Sequence, residues 1–216
     1  MKPDILSLSL DEIRELTQTL GQPKFRADQL YRWLHVTKVT SFRDMTNLPA
    51  KLIEALEERF IVDPIRMVTY QESAVDGTRK YLFELPDGNL IESVRMIYHH
   101  GISVCISTQV GCRMGCTFCA STLDGLSRNL TVGEMLGQVY AIIRHSEERV
   151  SNLVLMGCGE PMDNYDNVVA FVRRISDENG EHISQRSITV STCGLVPKIR
   201  QLKEETFDFR IFIKVI

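Results

Sequence analysis

The stretch Gly111-Cys112-Arg113-Met114-Gly115-Cys116-Thr117-Phe118-Cys119 decides how the rest of the chain is interpreted. It holds three of the six cysteines, in the spacing C-x3-C-x2-C, and it directly follows an apolar run from Ile102 to Val110. Thiolates that lie this close together in sequence are well placed to bind one metal centre. The function of such a centre depends on the segments that surround it.

The bulk composition is that of an ordinary soluble protein. The 216 residues carry a formal net charge of −3, with 44% hydrophobic and 25% charged residues. No apolar run is long enough to span a bilayer, and the N-terminus lacks the apolar stretch of a secretory signal. We therefore expect a cytoplasmic protein with no membrane partner, whose clustered cysteines bind metal rather than form disulfides. The slightly acidic charge gives no indication of nucleic-acid binding.

Residues 1–64 are predicted to form a small helical domain. Ser9 and Glu12 have the spacing of a capping box, and a later helix is predicted to begin near Pro49. Trp33, the only tryptophan, is predicted to anchor the core of this domain.

From about residue 65 the apolar period changes to two, which indicates strands. Strands with glycine-containing turns between them are predicted at residues 67–71, 79–84, 90–97 and 103–108. Residues 65–100 are therefore expected to form an antiparallel β layer that leads into the main domain.

Residues 101–216 show short apolar strands that alternate with helical patterns. Further strands are predicted at 152–156, 187–190 and 207–215, and Thr131 with Glu134 forms a second capping box at the start of a helix. Repeated βα units predict an α/β fold with a parallel sheet, either open or curled into a barrel.

Three unusual segments follow three of the predicted strands. The cysteine stretch follows 103–108, Gly157-Cys158-Gly159-Glu160-Pro161 follows 152–156, and Ser191-Thr192-Cys193-Gly194 follows 187–190. Because ligands bind at the carboxyl ends of parallel strands, these segments are expected to meet at one site.

The metal that three cysteines would hold has two interpretations. A closed zinc site needs a fourth ligand, which Cys105, His99 or His100 could supply. A [4Fe-4S] cluster held by three cysteines instead leaves one iron open to a small chelating molecule, which makes the centre catalytic.

The cysteine motif, with an aromatic residue before its last member, resembles that of the radical S-adenosylmethionine (radical SAM) superfamily. In that superfamily the open iron binds S-adenosylmethionine, and electron transfer from the cluster cleaves the cofactor to a 5′-deoxyadenosyl radical. The resemblance implies both cofactors, a [4Fe-4S] cluster and S-adenosylmethionine, and it implies a partial radical SAM barrel behind the β layer and the helical domain.

Four segments together are similar to the RlmN family, dual-specificity adenine C2-methyltransferases of 23S rRNA and tRNA: residues 105–112, 129–134, 156–161 and 190–197. The Cfr-type C8 methyltransferases are the alternative within this class. They more usually replace Pro161 and lack a loop like that at residues 121–125, so C2 is favoured. The implied partners are the two RNAs and an electron donor such as a flavodoxin or ferredoxin.

The resemblance also implies roles for individual residues. Cys112, Cys116 and Cys119 would bind the cluster, and Phe118, Gly159, Glu160 and Ser191 would contact the cofactor. Glu92 matches the family's proton acceptor, and Cys105 matches the cysteine that resolves the RNA–protein adduct; from the sequence alone the two are a solvated strand residue and a buried thiol.

The end of the chain departs from the family pattern. No Ser-Leu-His segment follows residue 207, and no cysteine follows Cys193, where the family places the cysteine that carries the methyl group. We therefore expect a truncated or frame-shifted sequence with an incomplete barrel, unable as written to complete methyl transfer. Two other readings remain open: a non-catalytic, zinc-stabilised RNA-binding fragment, and a radical SAM enzyme that acts on a small molecule.

Overall fold

The N-terminal part of the protein is helical, as predicted. The computed structural model describes residues 2–213. Its first helices are α1 (Leu10–Thr19), α2 (Phe25–Arg32) and α3 (Ala50–Arg59). The predicted capping box begins α1: the Ser9 hydroxyl accepts from the Glu12 amide at 3.1 Å, and the Glu12 carboxylate accepts from the Ser9 amide at 2.6 Å. These two bonds satisfy backbone donors that the first helical turn leaves unpaired.

The prediction for Trp33 is wrong in part. The side chain is only partly buried, and its indole nitrogen donates to the Asn47 side-chain oxygen at 2.6 Å. The helical repeat instead turns Leu30, Tyr31 and Leu34 into the core, and Trp33 falls beside that face. It therefore ties α2 to a neighbouring loop at the edge of the core.

One mixed sheet of seven strands carries the rest of the protein. The strands in chain order are β1 (Arg66–Glu72), β2 (Arg79–Glu84), β3 (Leu90–Tyr98), β4 (Gly101–Ile106), β5 (Gln109–Gly111), β6 (Leu126–Asn129), β7 (Val150–Leu155), β8 (Ile188–Thr192) and β9 (Arg210–Ile213). Of these, β5 and β6 form a separate two-stranded pair. The main sheet has the order β1-β2-β3-β4-β7-β8-β9, antiparallel as far as β4 and parallel beyond it. The predicted antiparallel layer and the parallel core thus share one sheet.

The helices of the core are α4 (Val132–Ser146), α5 (Tyr165–Ile175) and α6 (Val196–Gln201). The second predicted capping box, at Thr131 and Glu134, begins α4. The short pair β5–β6 was not predicted. The last predicted strand, 207–215, is shorter, and residues 214 and 215 lie outside the described part of the chain.

The two faces of the main sheet have different roles. On one face, Ser93 of β3 donates to Gln138 of α4 at 2.8 Å, which shows that the helices cover it. The register on the other face runs through Val94, Cys105, Val154 and Thr189 on four neighbouring strands. Because faces alternate with every residue, Glu92, Cys105 and Ser191 share this second face.

Buried polar contacts fasten the helical domain to the core helices. His35 is fully buried, and its Nδ1 lies 2.9 Å from the Tyr140 hydroxyl on α4. Beside it, Lys38 and Glu181 form an ion pair at 2.5 Å that is almost removed from solvent. These contacts fix how the helical domain sits on the helix-covered side of the sheet.

Acidification from pH 7 to pH 5 is expected to destabilise the protein through His35. Burial, with a smaller contribution from Arg174, lowers the pKa of His35 to about 3 from its ordinary 6.5. The unfolded chain therefore binds a proton below pH 6.5 that the folded chain does not. The stabilisation is complete above pH 6.5 and is lost as the pH falls towards 3, by roughly 2 kcal/mol between pH 7 and pH 5.

Urea unfolding at pH 7 and pH 5 measures this effect. His35→Gln keeps a hydrogen-bonding group without titrating in this range, so the variant should lose that part of the pH dependence. The same pH dependence in the variant and the parent protein would contradict the assignment to His35.

Candidate metal and cofactor site

The cysteine loop, residues 112–125, is closed at its base by the paired strands β5 and β6. The Cys112 amide donates to the Gly125 carbonyl at 2.9 Å, immediately beyond the paired residues. Gly111 has φ +73°, and a Cβ there would lie 2.0 Å from the Gly125 carbonyl oxygen. Only glycine fits this close crossing, which starts the loop directly before its first cysteine.

A cleft at the carboxyl ends of the parallel strands brings the three predicted segments together. Seven of the nine predicted site residues line it: Cys112, Cys116, Phe118, Cys119, Gly159, Glu160 and Ser191. The loops after β7 and β8 thus face the cysteine loop, as the strand-end argument requires. Which cofactor atoms each residue meets stays a prediction.

Glu92 and Cys105 do not line this cleft. They lie on β3 and β4, on the face of the main sheet opposite the one that α4 covers, which is called the open face below. The Glu92 carboxylate lies 2.7 Å from the Lys80 ammonium, and both side chains are about half exposed. In this structure Glu92 is a solvated, ion-paired carboxylate on the same face as Ser191, and its role as a proton acceptor stays a prediction.

The Glu160 carboxylate connects two of the loops. It is buried, and its two oxygens accept from the Met162 amide at 2.9 Å and from the Cys193 amide at 2.7 Å. These bonds hold the loop after β7 against the loop after β8. A carboxylate oxygen has more than one lone pair, so Glu160 can accept a further hydrogen bond from a cofactor ammonium.

The backbone of the glycine-rich loop packs too closely for any side chain. A Cβ on Gly157 would lie 2.7 Å from the Ile106 carbonyl oxygen, and one on Gly159 would lie 2.6 Å from the Gln109 Cβ. Gly159 also has φ +105°. The two glycines therefore let the loop cross the end of β4 and present its backbone to the cleft.

The residues of the cleft fit an iron–sulfur cluster with a bound chelate. The three cysteines line one cleft, and burial, with a smaller contribution from the Cys116 and Cys119 thiols, raises the pKa of Cys112 in the metal-free chain. The buried Ser191 hydroxyl, which lines the same cleft, has no hydrogen-bond partner within residues 2–213. Three thiolates and one unsatisfied hydroxyl are suited to a three-ligand cluster and a polar cofactor group.

A compact single-ion site is not present in the described part of the chain. Within residues 2–213, no three His, Cys, Asp or Glu side chains are grouped so that they could hold one metal ion. A four-iron cluster spaces its thiolates more widely than a single ion does.

Polar side chains beneath the loops were missed by the sequence reasoning. Gln109 is fully buried; its amide nitrogen donates to Asn129 at 2.8 Å and to Asp163 at 3.0 Å, and its oxygen accepts from the Glu160 amide at 2.8 Å. Arg113 of the cysteine loop also binds Asp163. The available signal was the polar sequence Ser107-Thr108-Gln109 at the end of a run that is otherwise mostly apolar.

We expect the thiol of Cys193 to resist alkylation in the metal-free chain. Burial, reinforced by a hydrogen bond to the Glu160 carboxylate and by its charge, raises the pKa of Cys193 to about 12. The thiolate fraction at pH 9 is therefore very small. Glu160→Gln removes the negative charge, lowers this pKa and should speed the reaction with iodoacetamide, followed at Cys193 by peptide mass spectrometry. An equal or slower rate in the variant would contradict the assigned cause.

Comparison with known proteins identifies the class. The model for the radical SAM superfamily matches residues 106–215, and the model for the ribosomal RNA large subunit methyltransferase N-terminal domain matches residues 3–62. The first match covers just over half of the chain. The chain therefore belongs to the radical SAM superfamily.

The individual similarities point within that superfamily to RlmN. The chain is 57% identical to the probable dual-specificity RNA methyltransferase RlmN of Lachnoclostridium phytofermentans, over 99% of this chain and 60% of that protein. It is 52% identical to the RlmN of Streptococcus suis, over 100% of this chain and 59% of that protein. These similarities confirm the resemblance to the RlmN family. The chain spans about 60% of the length of these curated relatives.

A solved structure confirms the predicted fold. The crystal structure of a radical SAM methyltransferase from Sphaerobacter thermophilus matches with a TM-score of 0.91 and 39% identity, over 97% of this chain and 62% of that one. Membership of the superfamily implies a [4Fe-4S] cluster and S-adenosylmethionine as cofactors. Among residues 2–213, no helix combines the length and the apolar character needed to cross a membrane.

Proposed function

We propose that this protein is a radical SAM methyltransferase that modifies C2 of adenine in 23S rRNA and in tRNA. The observation that carries the proposal is the single cleft in which three cysteines face the Glu160 loop and Ser191. The relatives named dual-specificity RNA methyltransferase support RNA as the substrate, and they favour the C2 reaction over the Cfr-type alternative.

The cleft residues would divide the work of holding the cofactors. Cys112, Cys116 and Cys119 would bind the cluster through their thiolates, and the glycine-rich loop would offer backbone groups to the methionine end of S-adenosylmethionine. Ser191 would donate its unsatisfied hydroxyl to a carboxylate or ribose oxygen. When bound, the two cofactors supply a radical able to functionalise adenine C2, an electron-poor carbon unsuited to polar methyl transfer.

The remaining predicted residues have supporting roles in the proposal. Phe118 is largely exposed at the cleft, where its ring can cover the cluster or pack against an adenine. Glu92 would accept a proton from the modified base, since it shares the open sheet face with Ser191 and is in contact with solvent. Cys105, on the same face, would resolve the covalent adduct between protein and RNA.

The proposal includes partners and a division of labour along the chain. Residues 1–64 would contact RNA, residues 65–100 would connect, and residues 101–216 would form the catalytic core. A flavodoxin- or ferredoxin-type protein would supply electrons. Because ribosomal and transfer RNA are cytoplasmic substrates, the cytoplasm is the proposed location.

Two measurements test the proposal. Anaerobic reconstitution of the chain with iron and sulfide is expected to give about four irons for each chain, because the three cysteines hold one [4Fe-4S] cluster. Deletion of the gene in its source organism is expected to remove 2-methyladenosine from digested 23S rRNA and tRNA, and a plasmid copy of the intact gene should restore it.

The alternatives give different results in the same experiments. Zinc bound in place of iron would favour a non-catalytic RNA-binding protein. Loss of 8-methyladenosine would favour the Cfr-type reaction. Unchanged RNA nucleosides, in a protein that holds a cluster and cleaves S-adenosylmethionine, would favour an enzyme acting on a small molecule.

A further inference from the structure

We propose that the ion pair between Arg113 and Asp163 positions the cysteine loop against the glycine-rich loop after β7, which is called the cofactor loop below. The inference rests on the proposed function, because it assigns these loops to the cluster and to S-adenosylmethionine. Arg113 is the residue that follows the first cluster cysteine, and Asp163 lies three residues after Glu160. The pair therefore connects the two halves of the cleft.

The geometry of the pair is that of a specific bidentate contact. Arg113 Nε donates to one Asp163 oxygen at 2.9 Å, and Nη2 donates to the other at 2.5 Å. The Asp163 side chain is 10% exposed, whereas the Arg113 side chain is 63% exposed. Two parallel hydrogen bonds fix the direction of the guanidinium as well as its distance, which an isolated point charge cannot do.

A second layer holds the carboxylate in place. Gln109 donates to the Asp163 oxygen that accepts from Arg113 Nε, and its own carbonyl oxygen accepts from the Glu160 amide. The connected path runs from the cysteine loop through Asp163 and Gln109 to the backbone of the cofactor loop. Glu160 then extends the path to the Cys193 amide of the loop after β8.

The contact acts on a loop with little regular structure. Between β5 and the short 3-10 turn at Ala120–Thr122, the described backbone bonds join Cys112 to Gly125, Cys119 to Cys116 and Thr122 to Cys119. Arg113 adds a side-chain anchor between this loop and Asp163. Without it, the three thiolates would remain but would lose their fixed orientation towards the Glu160 loop.

The test compares Arg113→Ala and Asp163→Asn with Arg186→Ala. Asp163→Asn keeps the shape of the side chain and loses its charge. Arg186 forms an exposed ion pair with Asp208 through a single contact at 2.5 Å, and neither residue lines the cleft, so Arg186→Ala controls for the loss of an arginine elsewhere on the surface. Hydrogen exchange at Cys112 and Cys119 in the metal-free chain should rise about tenfold in the first two variants, as expected for the loss of one charge-assisted contact, and stay unchanged in the control.

In the reconstituted chain, iron content should match the parent protein in all three variants. The affinity for S-adenosylmethionine, followed by the change it causes in the electron paramagnetic resonance signal of the reduced cluster, should fall about tenfold in Arg113→Ala and Asp163→Asn. Arg113→Ala made in the Asp163→Asn background should add little, because the contact is already broken.

Equal affinity for S-adenosylmethionine and equal hydrogen exchange in the Arg113 and Asp163 variants and in the control would overturn the inference. If the parent chain takes up no iron, the proposed function fails by itself. The exchange measurement still decides whether Arg113 and Asp163 hold the loop.

Discussion

Replacing Cys116 by alanine is expected to abolish iron–sulfur loading of the chain. Cys112, Cys116 and Cys119 line one cleft. Cys193 also lines it, but burial and the Glu160 carboxylate raise the pKa of its thiol to about 12, so it is poorly suited to take over. With two thiolates left, a cubane cluster would have two irons without protein ligands and would be lost during reconstitution. Iron and sulfide content and the brown absorbance of the purified chain measure the effect, which should be close to complete.

Cys158→Ser is the matched control for this substitution. Cys158 belongs to the glycine-rich loop, and its backbone makes the bonds that hold that loop, with its carbonyl accepting from Thr108 and Gln109 and its amide donating to Ser107. The control should therefore load normally. Full iron content in Cys116→Ala, or a loss as large in Cys158→Ser, would refute the assignment of the three cluster ligands.

Among substitutions that add one methyl group to the cofactor loop, Gly159→Ala is expected to reduce the free energy of unfolding the most. The added Cβ would lie 2.6 to 2.8 Å from the Cβ, Cγ and backbone nitrogen of Gln109, at a residue with φ +105°. Steric overlap with a fixed backbone and an unfavourable φ together cost roughly 3 to 5 kcal/mol. Because Gln109 also supports Asp163 and the Glu160 amide, the loop cannot move away without breaking these bonds.

Gly88→Ala separates the two causes. Gly88 also has a positive φ, +82°, but no atom lies within 4 Å of the position where its Cβ would be. This variant should lose only about 1 kcal/mol, the cost of the backbone conformation alone. Chemical unfolding of both variants gives the comparison, and equal losses would show that the contact with Gln109 is not decisive.

Local signals made much of the fold predictable. Ser9 with Glu12, and Thr131 with Glu134, each begin a helix through a capping box, because both partners lie within one helical turn. Apolar residues at every second position predicted the bounds of β2 as observed and those of β3 to within one residue. The placement of three loops at one end of the sheet followed from their common position after parallel strands.

The polar connections within the site could not be read in the same way. Gln109 and Asp163 are 54 residues apart, and Glu160 reaches an amide 33 residues away. No local pattern encodes contacts over such separations. Trp33 failed for a related reason: composition favoured burial, but its helical position directed it towards Asn47 at the edge of the core.

The direct pairing of β4 with β7 has a consequence for how the metalloprotein matures. After β4 the chain leaves the main sheet, forms the cysteine loop and then enters α4. The pair β5–β6 closes the base of this loop through backbone hydrogen bonds. The main sheet contains none of the three cysteines proposed to bind the cluster, so we expect it to form without metal. This differs from a zinc finger, which has no fold before its ion arrives. Iron and sulfide would thus be taken up by a sheet that is already folded, through thiols that lie at the carboxyl ends of its strands.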